Sequence, residues 1–463
     1  MSIINNALSG AVAAQMAMNT TSQNVANEDT TGYSQQQVVL GAVQLVQGGT
    51  LNPGNGVVVQ SVQRVSDQYQ VQALWSSNSA LGGQNAMQPY FTQLQQVMGD
   101  DSSGISGGLD SFFSALNAVS SDPTSIPLRQ QVIAAASGLA SNFNSSMQLL
   151  ETQDSDVQQQ RGSMVQQINS LTSAVAQLNT QIQDAQASGS SDSGLLDSRD
   201  QDVQQLANLV GVQVLSQPNG TYSISLDSGQ PLVIGNQAGT MGVTNNANGS
   251  QSVTIQFGQQ SFAVDDTTSG GQLGGLGQYE TGTLVPMEQA ISSLAQQLTT
   301  NVNNTLAAGY DLNGNGGQPL FQYTASGNTS TVSVNPNTSA DELGFSDSAT
   351  TPGDSTNLQA LVGLQNQSLT VPTVGSAQIG EVMTELIGNL GTQAQENTNA
   401  QSTAQTVRNN AESNWQSTSG VNSDQEAANL MQYQNMYQAN MKVISVADTL
   451  FQSVLGIFGS SVG

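Results

Sequence analysis

Apolar residues recur at helical spacing at both ends of the chain and in its middle, with short alternating runs between. Near the C-terminus, Leu430, Tyr437, Ile444, Phe451 and Phe458 step by seven, with Tyr433, Ala447 and Val454 three positions on. That is the seam of a helix that packs lengthwise on another. At the start, Ile4, Leu8, Ala11, Met18 and Val25 follow the same pattern over a helix expected from about Ile3 to Asn27. The natural partner of each end is therefore the other. A third stripe from Ser155 to Ala187 carries Val157, Met164, Leu171, Leu178 and Ala185, with Ile168, Val175 and Ile182 on the second seam, and predicts a rod.

Between these helices the periodicity changes. From Tyr33 to Val65 polar and β-branched residues alternate (Val38, Leu40, Val43, Leu45, Val57, Val59, Val62), broken by Gly48, Gly49 and the turn Asn52 to Gly56, as in a hairpin or extended arm. Three helical patterns follow to about Asp156, separated at Gly99 to Gly108 and Asp122 to Pro127. Beyond the Ser188 to Gly194 tract and a short helix through Leu206, runs such as Val212 to Leu215, Tyr222 to Leu226, Pro231 to Ile234, Val253 to Phe257 and Phe262 to Val264 predict an inserted β domain. The tract Gly270 to Gly277 closes it and reads as a hinge. A helix from Val285 to Ala308 resumes the core, residues 309–374 are loop-rich with small β pieces, and helices return from Ser376, interrupted at Ser419 to Val421.

The fold class is therefore α+β: a discontinuous helical coiled coil made by both termini (1–45 and 425–463), a long helical middle domain (46–210 and 276–424) and an inserted all-β domain (211–275). Such nesting predicts a radial subunit, with the β insertion furthest from the terminal helices. The terminal stripes are expected to gain order when subunits stack.

Composition narrows the function. Only 8% of the 463 residues are charged, against about 25% in ordinary soluble proteins, and uncharged polar surfaces suit dense packing of like subunits. The net charge of −26, with six Lys and Arg in all, disfavours nucleic acid and anionic lipid. No Cys and no His closes most enzyme classes and the commonest metal sites. No apolar run is long enough to span a bilayer, and no basic secretory n-region opens the chain.

Two motifs suggest chemistry and fall short of it. Asp311, Asn313, Asn315 and Gly316 fit the first half of a calcium-binding EF-hand loop, but Gln322 stands where the bidentate Glu belongs. Asp197, Asp200 and Asp202 could supply the paired carboxylates of glycoside hydrolysis, yet also suit a charged turn entering a helix. Neither a catalytic site nor a cofactor is expected.

The segment Ser22, Gln23, Asn24, Val25, Ala26, Asn27, followed by Thr31, Gly32 and Tyr33, resembles the signature of bacterial flagellar rod, hook and hook-associated proteins. Further likeness to the hook-filament junction members lies in Leu195, Leu196, Asp197, Arg199 and Asp200, in Val210 to Val212, in Gly271 to Gly275 before Pro286, in Val302, Asn303 and Gly309 to Gly314, and in Ser419 to Ser445. Ser423 and Gln425 depart from the family pattern. The resemblance implies a structural role in a homo-oligomeric ring of the flagellar axis, reached by unfolded export through the flagellar type III route to the cell exterior. It implies the hook protein below, hook-associated protein 3 above and a cytoplasmic export chaperone on the C-terminal helix, with no membrane insertion. Other readings are another axial component, hook protein or hook-associated protein 3 itself, or a secreted adhesin or carboxylate hydrolase built on the β insertion.

Overall fold

The computed structural model describes residues 2–43, 56–99, 104–246, 250–326 and 329–459. Helix α1 (Ser2–Ala26) runs into a turn closed by Gly32 at φ +75° and then the antiparallel hairpin β1 (Gln36–Ala42) and β2 (Val57–Arg64). Leu45, Gly48, Gly49 and Asn52 of the expected arm lie outside the described residues, as do residues 100–103 of the expected break. Helix α2 (Gln68–Met98) starts where the Asp67 carboxylate accepts from the amides of Tyr69 and Gln70, satisfying two of the four unpaired donors of a helix start. Helices α3 (Ile105–Val119), α4 (Ile126–Ser188) and α5 (Ser193–Leu209) follow.

The β insertion forms two antiparallel sheets. One runs β3 (Val212–Ser216), β4 (Tyr222–Leu226), β5 (Pro231–Ile234), β6 (Gln237–Ala238); the other β7 (Thr240–Asn245), β8 (Gln251–Phe257), β9 (Gln260–Val264). Then come α6 (Gly271–Tyr279), a π-helical turn at Glu280–Leu284 and α7 (Val285–Ala308). Two further hairpins, β10 (Phe321–Ser326) with β11 (Thr329–Val334) and β12 (Ser368–Val371) with β13 (Gly375–Gln378), flank α8 (Thr356–Gly363). Helices α9 (Ile379–Ser419) and α10 (Ser423–Gly459) complete the chain. One apolar core runs from α2 to the first half of α9.

Three expectations are corrected. The rod begins at Ile126 rather than near Ser155, giving a helix of 63 residues, about 95 Å long. Pro127 sits in its first turn, where a missing N–H is harmless. The apparent break came from Gln153, a polar residue in the apolar seam that is fully buried; it donates to Gln93 at 3.0 Å and accepts from the Tyr279 hydroxyl. The tract Gly270 to Gly277 is no hinge, because from Gly271 it is helix α6, laid against α2. A Cβ on Gly275 would strike the Gly83 carbonyl, and one on Gly83 would lie 3.1 Å from the Gly271 oxygen. Close backbone approach outweighs the cost of about 1 kcal/mol per helical glycine.

The β insertion is also not the part furthest from the terminal helices. Arg199 stacks its guanidinium 3.4 Å from the Tyr222 ring of β4, and two residues earlier Asp197 bonds Ser34 and Arg64 of the terminal region. The far end belongs to residues 310–371, which pack on the start of α4 through Arg129: its Nη1 donates to the Ala340 and Leu343 carbonyls at 3.1 and 2.7 Å. The insertion folds back because its sheets dock along the second half of α4 instead of extending beyond it.

One docking device recurs. Asn24, Asn144, Asn169, Asn179 and Asn303 each accept from the backbone N–H and donate to the backbone C=O of a single strand residue: Gln36, Val332, Met241, Tyr222 and Phe321 respectively, all at 2.7–3.0 Å. A primary amide on a helix thus substitutes for a missing strand, satisfying groups that are costly to bury unpaired.

Candidate assembly interface

Helices α1 and α10 pack antiparallel: Ile3 meets Val446 and Leu450 at one end, and Glu28 accepts from Ser423 at the other. The contact is built from small residues on α1. Ala7, Ala11, Ala13, Ala14, Ala17, Thr20, Thr21 and Asn24 are buried, a band wide enough to take α10 on one side and the β1–β2 hairpin on the other. From α10, Tyr433, Tyr437, Asn440, Ile444 and Ala447 face inward, half-buried. A side chain on Gly10 would meet the Asn440 amide at 2.7 Å.

The sequence-predicted seam residues divide into two groups. Ala11 is buried, and Ile4, Met18, Tyr437, Ile444 and Ala447 are half-buried, all in the helix pair. Leu8, Val25, Leu430, Phe451 and Val454 are exposed and outside it, Phe451 at 58%. The side chain of Phe458 lies outside the described residues. Val12, Met16, Val443, Val446, Leu450 and Leu455, which the heptad reading passed over, are exposed beside them. The missed inward residues had a visible signal in the alanine pattern between Ala7 and Ala17, but alanine counts for little when large side chains define the stripe. Ile3, Ala439, Lys442, Val443, Val446 and Leu450 line an open groove of about 400 Å³ along the pair. Exposed apolar surface of this extent marks an interaction site.

Below the pair, a polar joint ties it to the body. The Gln35 amide donates to the Ser419 carbonyl at 2.7 Å, and its side chain donates to Glu426 at 2.6 Å. Arg64 bridges Asp197 at 3.1 Å and Asp200 at 2.6 Å. Asp197 and Asp200, two of the three carboxylates that suggested hydrolysis, are thereby spent on one guanidinium, while Asp202 is half-buried and outside that pairing. Asp197, raised above the usual carboxylate range by burial, also accepts from the Ser34 amide at 3.2 Å. The Tyr33 hydroxyl donates to Asn24 at 2.9 Å and is pushed up to about 12 by burial, with Asp197 and Glu426 adding to it. Asn24 and Tyr33, two landmarks of the N-terminal signature, are thus the bracket that turns α1 into β1. The calcium-like loop closes on itself: Asp311 accepts from the amides of Asn313 and Asn315 at 2.7 and 2.8 Å. Among the described residues no cluster of acidic side chains suits a metal ion.

Comparison with known proteins agrees with this architecture. Residues 4–33 match the flagella basal body rod protein family and residues 412–457 the C-terminal family of the flagellar basal body rod FlgEFG proteins. These two ends place the chain among the axial proteins of the bacterial flagellum. Residues 91–321 match the helical domain of flagellar hook-associated protein FlgK. Flagellar hook-associated protein 1 of Salmonella typhimurium is 27% identical, covering 98% of this chain and 100% of the relative; that of Bacillus subtilis is 26% identical over 96% of each. The solved flagellar hook junction protein FlgK from Burkholderia pseudomallei superposes with a TM-score of 0.64 at 19% identity, covering 75% of this chain and 99% of that one. The chain belongs to the flagellar hook-associated protein 1 family, which makes it a structural component of the flagellum.

Proposed function

We propose that this chain joins hook to filament as one subunit of a ring in the flagellar axis, by packing rather than by catalysis. The observation that carries this reading is the terminal pair, which closes on the alanines of α1 and leaves many large apolar residues exposed, Leu8, Leu450, Phe451, Val454 and Leu455 among them. The interface is assigned to Ile4, Leu8, Ala11, Met18 and Val25 with Leu430, Tyr437, Ile444, Ala447, Phe451, Val454 and Phe458. Its half-buried members set the pair and its exposed members meet neighbours. Residues 1–45 and 425–463 serve as the inner tube, 46–210 and 276–424 as the surrounding wall, and 211–275 as the β layer on that wall. Neighbours along the axis are hook protein on one side and hook-associated protein 3 on the other. Before assembly, a cytoplasmic chaperone covers the C-terminal helix, because exposed Phe451, Val454 and Leu455 would otherwise aggregate. Export proceeds through the flagellar type III route to the cell exterior, with no nucleic acid bound and no membrane insertion.

Phe451→Asp tests the proposal, since this residue is exposed in the single chain and touches no core. The variant should unfold within about 0.5 kcal/mol of the parent and yet fail to enter flagella, leaving hooks without filaments. Filaments of normal number and length in that strain would refute the reading.

A further inference from the structure

The chain has six cationic side chains against 32 acids, and five of the six are engaged internally. Arg64, Arg161 and Arg408 form ion pairs, while Arg129 and Arg199 are buried on carbonyl and amide oxygens. Lys442 is the one cation among the described residues with neither a hydrogen bond nor an ion pair, and it is exposed on α10 with its stem along the apolar groove of Ile3, Val443, Val446 and Leu450. We propose that Lys442 pairs with Asp448 of a second copy of this chain, and that this contact fixes the register of neighbouring terminal pairs.

The occupant follows from charge. Chains of net charge −26 repel one another, so a cation left free among the described residues is worth most where copies touch. Among the acids of the terminal pair, Glu426 is buried on Gln35 and Glu28 is held by Ser423. Asp29 and Asp424 lie at the opposite end of the pair, Asp424 about 27 Å along the helix from Lys442. Asp448 is exposed, bonded only by Gln452 at 3.3 Å, and about 9 Å along the axis. Two copies side by side with a small axial offset therefore bring Lys442 of one to Asp448 of the next, while the groove covers apolar residues of the neighbour. This deepens the ring reading and rests on it.

The absence of cysteine from the chain makes the test clean. Positions 442 and 448 of one helix are about 10 Å apart and about 120° around the axis, too far for a disulfide within one copy. The full-length chain carrying Lys442→Cys and Asp448→Cys, in isolated flagella under mild oxidation, should run as multimers of itself, and either single variant should not. A variant present in flagella but uncross-linked, or linked to a different protein, overturns the pairing. Charge reversal is the second measure: Lys442→Asp should lower incorporation about tenfold or more, and adding Asp448→Lys should restore it. Normal incorporation of the single variant, or no recovery in the double, also overturns the pairing. Absence of the unaltered chain from flagella would instead overturn the ring reading.

Discussion

Replacing Asn179 by Leu isolates the amide device that docks strands on the long helix. Asn179 is fully buried on α4 and makes four hydrogen bonds: it donates to the Tyr222 and Gly235 carbonyls at 3.0 and 2.6 Å, and accepts from the Tyr222 amide and Arg199 at 3.0 Å each. Leucine fills similar volume and offers none of these bonds. At about 1 kcal/mol for each partner left unpaired in the interior, the loss is about 4 kcal/mol, which corresponds to about a thousandfold change in a local opening equilibrium. Hydrogen exchange on the full-length chain reads it directly. Peptides from 212–238 should exchange about a thousandfold faster in the variant, while those from α1 keep the parental rate. Asn179→Asp, which keeps the acceptor and loses both donors, should fall between. A change below tenfold in 212–238 would refute the assignment of docking to this amide and leave apolar burial as the cause.

Three further outcomes follow from the same geometry. Arg161, fully buried, is paired with Glu280 and with Asp266 at 3.0 Å, so Arg161→Met should cost about 3–5 kcal/mol in urea unfolding, and adding Glu280→Gln should recover part of it; an unchanged midpoint would show the pair to be idle. Gly275→Ala should lower the urea midpoint because its methyl meets the Gly83 backbone, whereas Gly282→Ala, with nothing within 4 Å, should not; equal effects would refute the close-approach argument. Glu288 is pushed up to about 7 by burial, with Asp154 and Glu151 adding to it. The folded state therefore holds this proton more tightly than the unfolded state, and the stability it contributes is complete below about pH 4.5 and lost as pH rises through about 7. Glu288→Gln should flatten the stability profile between those values and raise stability at pH 8, and an unaltered slope would rule the group out.

Helices with large residues at regular spacing were legible from the chain alone: α1 and α7 stand where the periodicity put them, and the break at Gly420 separates α9 from α10. The errors share a cause. Gln153 in an apolar seam looked like a helix boundary, and glycines from Gly271 to Gly277 looked like a hinge, because local pattern cannot tell a polar or small residue that tertiary contacts require from one that breaks a helix. The terminal interface was half legible for the same reason. Ile444 and Tyr437 announce a seam by size, but the face that receives them is Ala7, Ala11 and Ala14, which hydrophobic size alone does not mark. The position of the β insertion was not legible at all, because it depends on Asn169 and Asn179, each an ordinary polar residue until paired with a strand 72 or 43 positions away.

These amides also account for a composition with so little charge. Joining a helix to a strand through an ion pair requires two desolvated charges whose attraction barely offsets the cost of burying them, and the chain does this sparingly: among the described residues Arg161 is the one fully buried arginine paired with acids. Elsewhere an asparagine supplies donor and acceptor in one neutral group matched to the backbone. Neutral joints leave the outer surface free of the compensating charges that internal ion pairs tend to bring with them. In a close-packed ring that economy matters, since every surface charge is repeated in each copy and adds to the repulsion between neighbours unless the facing surface carries its opposite. A chain joined internally by lysines and glutamates could fold as well, but its copies would carry more cations in need of partners; here Lys442 is the one cation among the described residues left to find its partner in another copy.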